Sequence, residues 1–235
     1  MTSFADAKSR TLAGDIYERI RADVLACRIP PGSKLKIGDF CKRFDVSLGA
    51  VREALSRLSA DGLVIAEAQK GFRVAPISRE DLIDLTRTRI QIESLCLTDS
   101  IRKGDLDWET GVVASFHRLS RLDVRDPGDP GRINDDWVIA HSAFHAALVA
   151  ACKSPTLLRI RKALYEQTER YRALSVPAEP VSRDINLEHR ELMEATLARD
   201  VGRACELIDM HLSRTTEILL AAPFLQEKAG ERAAG

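Results

Sequence analysis

Apolar residues recur one turn apart at Ile16, Ile20 and Val24, which predicts a helix from about Leu12 to Cys27. Pro30-Pro31-Gly32 ends it in a loop. A short helix follows over roughly Ile37 to Phe44, then a turn at Asp45-Val46-Ser47 in which Ser47 suits an N-cap. A third helix, about Leu48 to Ala60, places Val51, Ala54, Leu55 and Leu58 on its inward stripe and stops at Asp61-Gly62. The period then shortens. Leu63–Ala66 and Phe72–Ala75 read as two strands around a tip at Gln69-Lys70-Gly71, where Gly71 can supply the positive φ of a hairpin turn.

Beyond Pro76 only helical periodicity remains, with segments near 79–102, 106–123, 133–152, 155–175, 182–199 and 202–221. Gly104, the run Asp126 to Gly131, Ser154-Pro155, Pro177 to Pro180 and Asp200 separate them, and the tail Glu227 to Gly235 is expected to fray. Short connections between helices imply an antiparallel bundle. The chain is therefore expected to be mainly α. A winged helix-turn-helix of three helices and a two-stranded wing occupies residues 1–77, and an all-helical bundle occupies 78–235.

Composition narrows the class. Among 235 residues, 45% are hydrophobic and 30% charged, enough for packed cores under a polar surface. No stretch approaches 18 apolar residues and the N-terminus has no apolar signal-type core, so a cytoplasmic location is expected, away from membranes. Five cysteines at 27, 41, 96, 152 and 205 lack any metal-ribbon spacing and read as reduced thiols. The net charge of zero divides unevenly: residues 1–76 carry 13 basic against 9 acidic side chains, leaving the remainder at −4. A basic first third suits a nucleic-acid module.

In a helix-turn-helix, the first residues of the second helix face base edges in the major groove. Leu48, Gly49 and Arg52 hold those positions here. Arg52 can donate two parallel hydrogen bonds to guanine. Ser47 and Lys42 are placed for phosphate contacts, and Lys70 and Gly71 for a wing tip against the minor groove or backbone. The plainer alternative for Arg52 is a surface pair with Glu53 or Asp61.

These residues also resemble a family. Val51-Arg52-Glu53-Ala54-Leu55, Arg57-Leu58, Asp61-Gly62-Leu63-Val64 and Lys70-Gly71-Phe72-Arg73-Val74 look like the GntR regulators over residues 12–76. Ser47-Leu48-Gly49-Ala50 stands where that family usually has Ser-Arg-Thr-Pro, so the family's usual arginine is absent at 48, and Ile37 or Gly38 replaces an acid of the preceding helix.

The histidines carry the second signal. His141 and His145 lie one turn apart on a face shared with Trp137, Phe144 and Leu148. His189 and His211 are each eleven residues from Asp200, so an antiparallel hairpin turning there sets them side by side. Four imidazoles from three helices can thus converge on a divalent transition metal; alternatively, each is an ordinary core histidine. His117 has no partner at matching spacing. Arg89 shares its stripe with Leu82, Leu85, Ile92 and Cys96, so it points inward and requires an anion, either Glu93 or another protein acid, or a bound carboxylate.

This half resembles the FCD domain of FadR-type GntR regulators, through Glu80-Asp81-Leu82, Arg89 with Glu93, His141 to His145, Glu188-His189-Arg190 and Met210-His211-Leu212. The resemblance implies an organic-acid effector beside a metal held by one aspartate and three histidines. His141 occupies the aspartate's place, and an all-nitrogen set favours zinc or nickel. The expected protein is a homodimeric repressor, not an enzyme, on an inverted-repeat operator, with its affinity set by a small carboxylate. The competing readings are a regulator that responds to the ion alone, a metal-dependent hydrolase using Glu188, and a metal-free bundle for an acyl thioester.

Overall fold

The structure, a computed structural model, describes residues 12–129, 131, 133–175, 183–221 and 225. The Pro177–Pro180 break and the tail 227–235 lie outside the described residues. The chain divides into two compact units between Ile77 and Ser78.

In the first unit, α1 (Leu12–Leu25), α2 (Ile37–Phe44) and α3 (Leu48–Ala60) pack around Ile16, Ile20, Val24, Val51, Leu55 and Leu58. Ser47 caps α3, its hydroxyl oxygen accepting from the Ala50 amide at 3.3 Å. Asp45 turns the chain between α2 and α3 in the left-handed region (φ 52°), and its amide donates to the Cys41 carbonyl. The wing pairs β2 (Val64–Glu67) with β3 (Gly71–Val74), antiparallel, Val64 facing Val74 and Glu67 facing Gly71. Its turn places Gln69 at φ 61° and Gly71 at φ 91°, the latter as the turn chemistry requires.

The sequence pattern predicts two strands, whereas the sheet has three. β1 (Lys34–Leu35) pairs with the other edge of β3, giving the order β1-β3-β2. Two residues are too few to show a period-two pattern, and tertiary pairing decides their conformation. Arg73, on the central strand, ties both sides together, donating to Glu67 of β2 (3.0 Å) and to the Gly32 carbonyl just before β1 (2.7 Å). Asp23, nearly buried, receives Arg28 at 2.7 Å and Arg43 at 2.9 Å, joining the end of α1 to α2.

The second unit contains α4 (Arg79–Lys103), α5 (Leu106–Leu119), α6 (Asp135–Leu148), α7 (Pro155–Ser175), α8 (Ile185–Leu197) and α9 (Val201–Ala221). Three of these helices are shorter than expected: 106–119 rather than 106–123, 135–148 rather than 133–152, and 185–197 rather than 182–199. Capping by Asn134 and Asp184 fixes two of the starts. α4 packs on α7 and α9, and α5 on α6. The core runs through Leu97, Ile101, Trp108, Trp137, Phe144, Leu192 and Ile208. Gly104 permits a close approach: a Cβ there would stand 2.1 Å from the Trp108 ring, whose Nε1 donates to the Ala147 carbonyl. None of the five cysteines is disulfide-bonded, and burial beside Cys152 pushes the Cys96 thiol up to about 12.

Candidate functional site

α6 carries His141 and His145 on one face, α8 carries His189, and α9 carries His211. All four rings are buried, with centroids between 4.4 and 6.1 Å apart. One nitrogen from each lies within 4.8 Å of the others. The α8–α9 hairpin sets His189 against His211 at 4.8 Å, as the equal spacing about Asp200 predicts.

The surroundings orient the rings. His141 Nδ1 faces the Tyr165 hydroxyl at 3.4 Å, which leaves its Nε2 directed inward, 3.1 Å from His145 Nε2. His211 Nδ1 meets Glu188 Oε2 at 2.9 Å. Neither nitrogen of His189 is hydrogen-bonded, nor is His145 Nδ1. Burial lowers the pKa of all four rings below the ordinary 6.5. Nearby arginines and the neighbouring imidazoles add to the effect, whereas Glu188 works against it at His189 and His211. The rings are thus held neutral, as metal ligands must be.

These residues fit a metal ion. Metal–nitrogen bonds of about 2.0–2.1 Å put nitrogens of one coordination shell roughly 3–4 Å apart, and the 3.1 Å between His141 and His145 lies in that range. Buried imidazole nitrogens with no partner are costly, and a shared cation would satisfy them together.

Arg89 is buried, as its stripe predicts, and it has a protein carboxylate: its Nε reaches Glu93 at 3.4 Å. The same carboxylate is held more closely by Arg161, at 2.6 Å. Arg161 also donates to the His145 carbonyl (2.8 Å), tying this pair to the imidazole cluster. Arg89 donates to Thr168 at 2.7 Å and lies 4.9 Å from the Tyr165 ring centre. Two guanidinium groups thus share one buried carboxylate.

A cavity of about 50 Å³ adjoins the cluster, its wall including Arg89, Arg172, Arg183, His141 and His211. Arg172 is paired with Glu169 and stacks over Trp137 at 5.1 Å. Arg183 grips Glu188 through two nitrogens, at 3.0 and 2.8 Å. Burial alone would raise the Glu188 carboxyl, but hydrogen bonds from His211 and Arg183 outweigh it and hold Glu188 well below the usual carboxylate range.

On α3, Leu48, Gly49 and Arg52 are exposed on one side. Ser47, Lys42, Lys70 and Gly71 are also exposed. Asp61, one of the candidate surface partners of Arg52, instead accepts from the Tyr17 hydroxyl at 2.7 Å. His117 is exposed on α5, away from the cluster.

Tyr165, Arg161, Glu169, Arg172 and Arg183 also belong to the site, and no motif in the sequence singles them out. A signal was present on α7: Arg161, Tyr165, Thr168 and Arg172 follow one another at helical spacing, a polar stripe on a helix that must bury one face.

A winged helix-turn-helix followed by a helical unit with a buried imidazole cluster defines a DNA-binding transcription regulator of bacterial type. Family comparison agrees with this class. The family described as bacterial regulatory proteins, gntR family, matches residues 12–74, and the FCD domain matches residues 84–214. The chain belongs to the GntR family, in the branch that carries an FCD domain. It is 42% identical, over 92% of its length and 91% of the relative's, to an uncharacterized HTH-type transcriptional regulator, BphR, of Paraburkholderia xenovorans. It is 35% identical, over 88% of its length and 96% of the relative's, to the HTH-type transcriptional repressor GlaR of Escherichia coli. Among solved structures, E. coli McbR/YncC shares the fold with a TM-score of 0.73 at 16% identity, over 89% of this chain and 97% of that one. Among the described residues no helix is long and apolar enough to cross a membrane.

Proposed function

We propose that the protein is a homodimeric repressor whose helical unit holds a divalent transition metal on His141, His145, His189 and His211, and which leaves its operator when a small organic acid binds beside that ion. In this reading residues 1–77 bind DNA, and residues 78–235 bind metal and effector and carry the dimer contact. Arg52 reads a base. Ser47 and Lys42 hold phosphates; the Ser47 hydroxyl oxygen caps α3 while its proton remains available to a phosphate oxygen. Gly49 lets the helix end approach the groove, and Lys70 and Gly71 form the wing contact. Two such heads on one dimer match an inverted repeat.

The observation that carries the metal assignment is His189, completely buried with both ring nitrogens lacking hydrogen bonds and three other imidazoles around it. An all-imidazole set suits zinc or nickel. The bound ion would supply positive charge and coordination positions for a carboxylate at one edge of the cavity. Arg89 supplies a directional donor in the same cavity, and Arg161 keeps Glu93 from neutralising it. Room for a few water-sized groups, at roughly 10–15 Å³ each, suits a short acid and not a long acyl thioester. An acid that binds one arrangement of the dimer better than the other shifts the population between them, and so the DNA affinity.

Metal analysis and native mass spectrometry of the purified protein test the site; a fluorescence assay with operator DNA tests the response. The expected result is one equivalent of zinc or nickel per chain and a carboxylate that weakens DNA binding only in the metal-loaded protein. Loss of DNA affinity on adding the ion alone would replace the acid by the metal as the signal.

A further inference from the structure

Leu48 is the first residue of α3 and is 55% exposed, although the helix buries Val51, Ala54, Leu55 and Leu58 on its other side. Gly49 follows with ordinary helical backbone, and a Cβ there would meet only the Ser47 hydroxyl oxygen, at 3.9 Å. The fold therefore requires neither an apolar side chain at 48 nor a glycine at 49. Glycine weakens a helix relative to alanine, and an exposed leucine gains nothing from the core. Both features lie at the end of the helix that this fold class presents to base edges. The apolar group on the floor of the major groove is the thymine C5 methyl.

We propose that Leu48 reads a thymine methyl group in each half-site. Gly49 removes the side chain that would hold the helix end away from the base, and Arg52, one turn on, reads a nearby guanine. This inference rests on the assignment of α3 to DNA. Cytosine lacks the methyl, and purines present ring nitrogens and exocyclic polar groups in its place, so the contact discriminates by apolar burial.

The test uses the full-length protein and a random duplex library. Once enriched sites are known, each thymine is replaced by deoxyuridine, which lacks only the methyl. One thymine per half-site is expected to lose about fourfold in affinity on replacement, the value of one buried methyl. Leu48→Ala should bind thymine and uracil sites equally, whereas Arg52→Ala should weaken binding yet retain the thymine preference. Leu48 is exposed, so its replacement leaves the fold intact. Enriched sites that tolerate uracil at every position, or a Leu48→Ala protein that still prefers thymine, would overturn the role of Leu48 alone. A library with no enriched sequence would remove the assignment of α3 to base reading and this proposal with it.

Discussion

Glu188 accepts a hydrogen bond from His211 Nδ1 across 2.9 Å while Arg183 and Arg214 hold the same carboxylate. An ionised carboxylate can only accept, so the proton sits on Nδ1 and the lone pair on Nε2 faces the other three imidazoles. Glu188 is thus a positioning residue for one corner of the cluster, and its place behind the ring does not suit it to act as a hydrolytic base. Glu188→Gln should lower zinc affinity by about 10–100-fold, measured by competition with a chelator. An unchanged affinity would mean that the ring is oriented by packing alone.

His189 gives a prediction whose sign changes with metal. Replacing it by leucine removes two unsatisfied buried nitrogens. The apo protein should gain about 1–3 kcal/mol against denaturant, the usual cost of leaving a buried polar group unpaired. With zinc added, the variant should lack the stabilisation expected of the parent. A variant destabilised with and without zinc would indicate that the ring matters by shape only.

Acid should weaken the apo helical unit early. In the unfolded chain each cluster histidine takes up a proton near its ordinary pKa of 6.5, whereas the folded rings resist protonation. Below pH 6.5 the unfolded state therefore binds more protons, and stability falls as pH falls. Above that pH the contribution is complete. Denaturation of metal-free protein at several pH values between 7 and 5 should show a steady loss, and replacing His141, His145, His189 and His211 together by apolar residues should flatten it.

Under the proposed function, the shared carboxylate should make the affinity for a small acid depend on a residue that need not touch that acid. With Arg161→Met, Glu93 loses its nearer partner, and Arg89 is the guanidinium left to neutralise it. Carboxylate affinity should fall by about 10-fold or more, in line with the roughly 1.5–3 kcal/mol of a charged hydrogen bond. Adding Glu93→Gln should restore much of it by releasing Arg89. Calorimetry with the metal-loaded protein separates this from metal loss. If the double variant binds no better than Arg161→Met, Arg161 contributes by packing and not by competition for Glu93.

Periodicity reveals the helices because burial of one face dictates it, and the hairpin symmetry about Asp200 is enough to set His189 beside His211. It could not show β1, whose conformation comes from pairing with β3, Lys34 opposite Arg73 and Leu35 opposite Phe72, far apart in sequence. Nor could it show that Glu93 serves two arginines, since Arg161 arrives from a helix whose rotation no local pattern fixes. The polar stripe on α7 was legible only as an oddity. Its meaning depends on which helix it meets. The DNA side is the reverse case: Ser47, Leu48, Gly49 and Arg52 fall outside the inward stripe of Val51, Ala54, Leu55 and Leu58, so the exposed helix end is legible from the local pattern.

Asp23 has a consequence for ionic strength. By gathering Arg28 and Arg43, while Glu67 takes Arg73, the acids of the first unit neutralise cations that a plain count would credit to phosphate binding. Each phosphate neutralised contributes about 0.9 to the logarithmic slope of affinity against salt. Operator binding should therefore decline more gently with added salt than the thirteen basic residues of positions 1–76 suggest, because a smaller share of its affinity comes from counterion release.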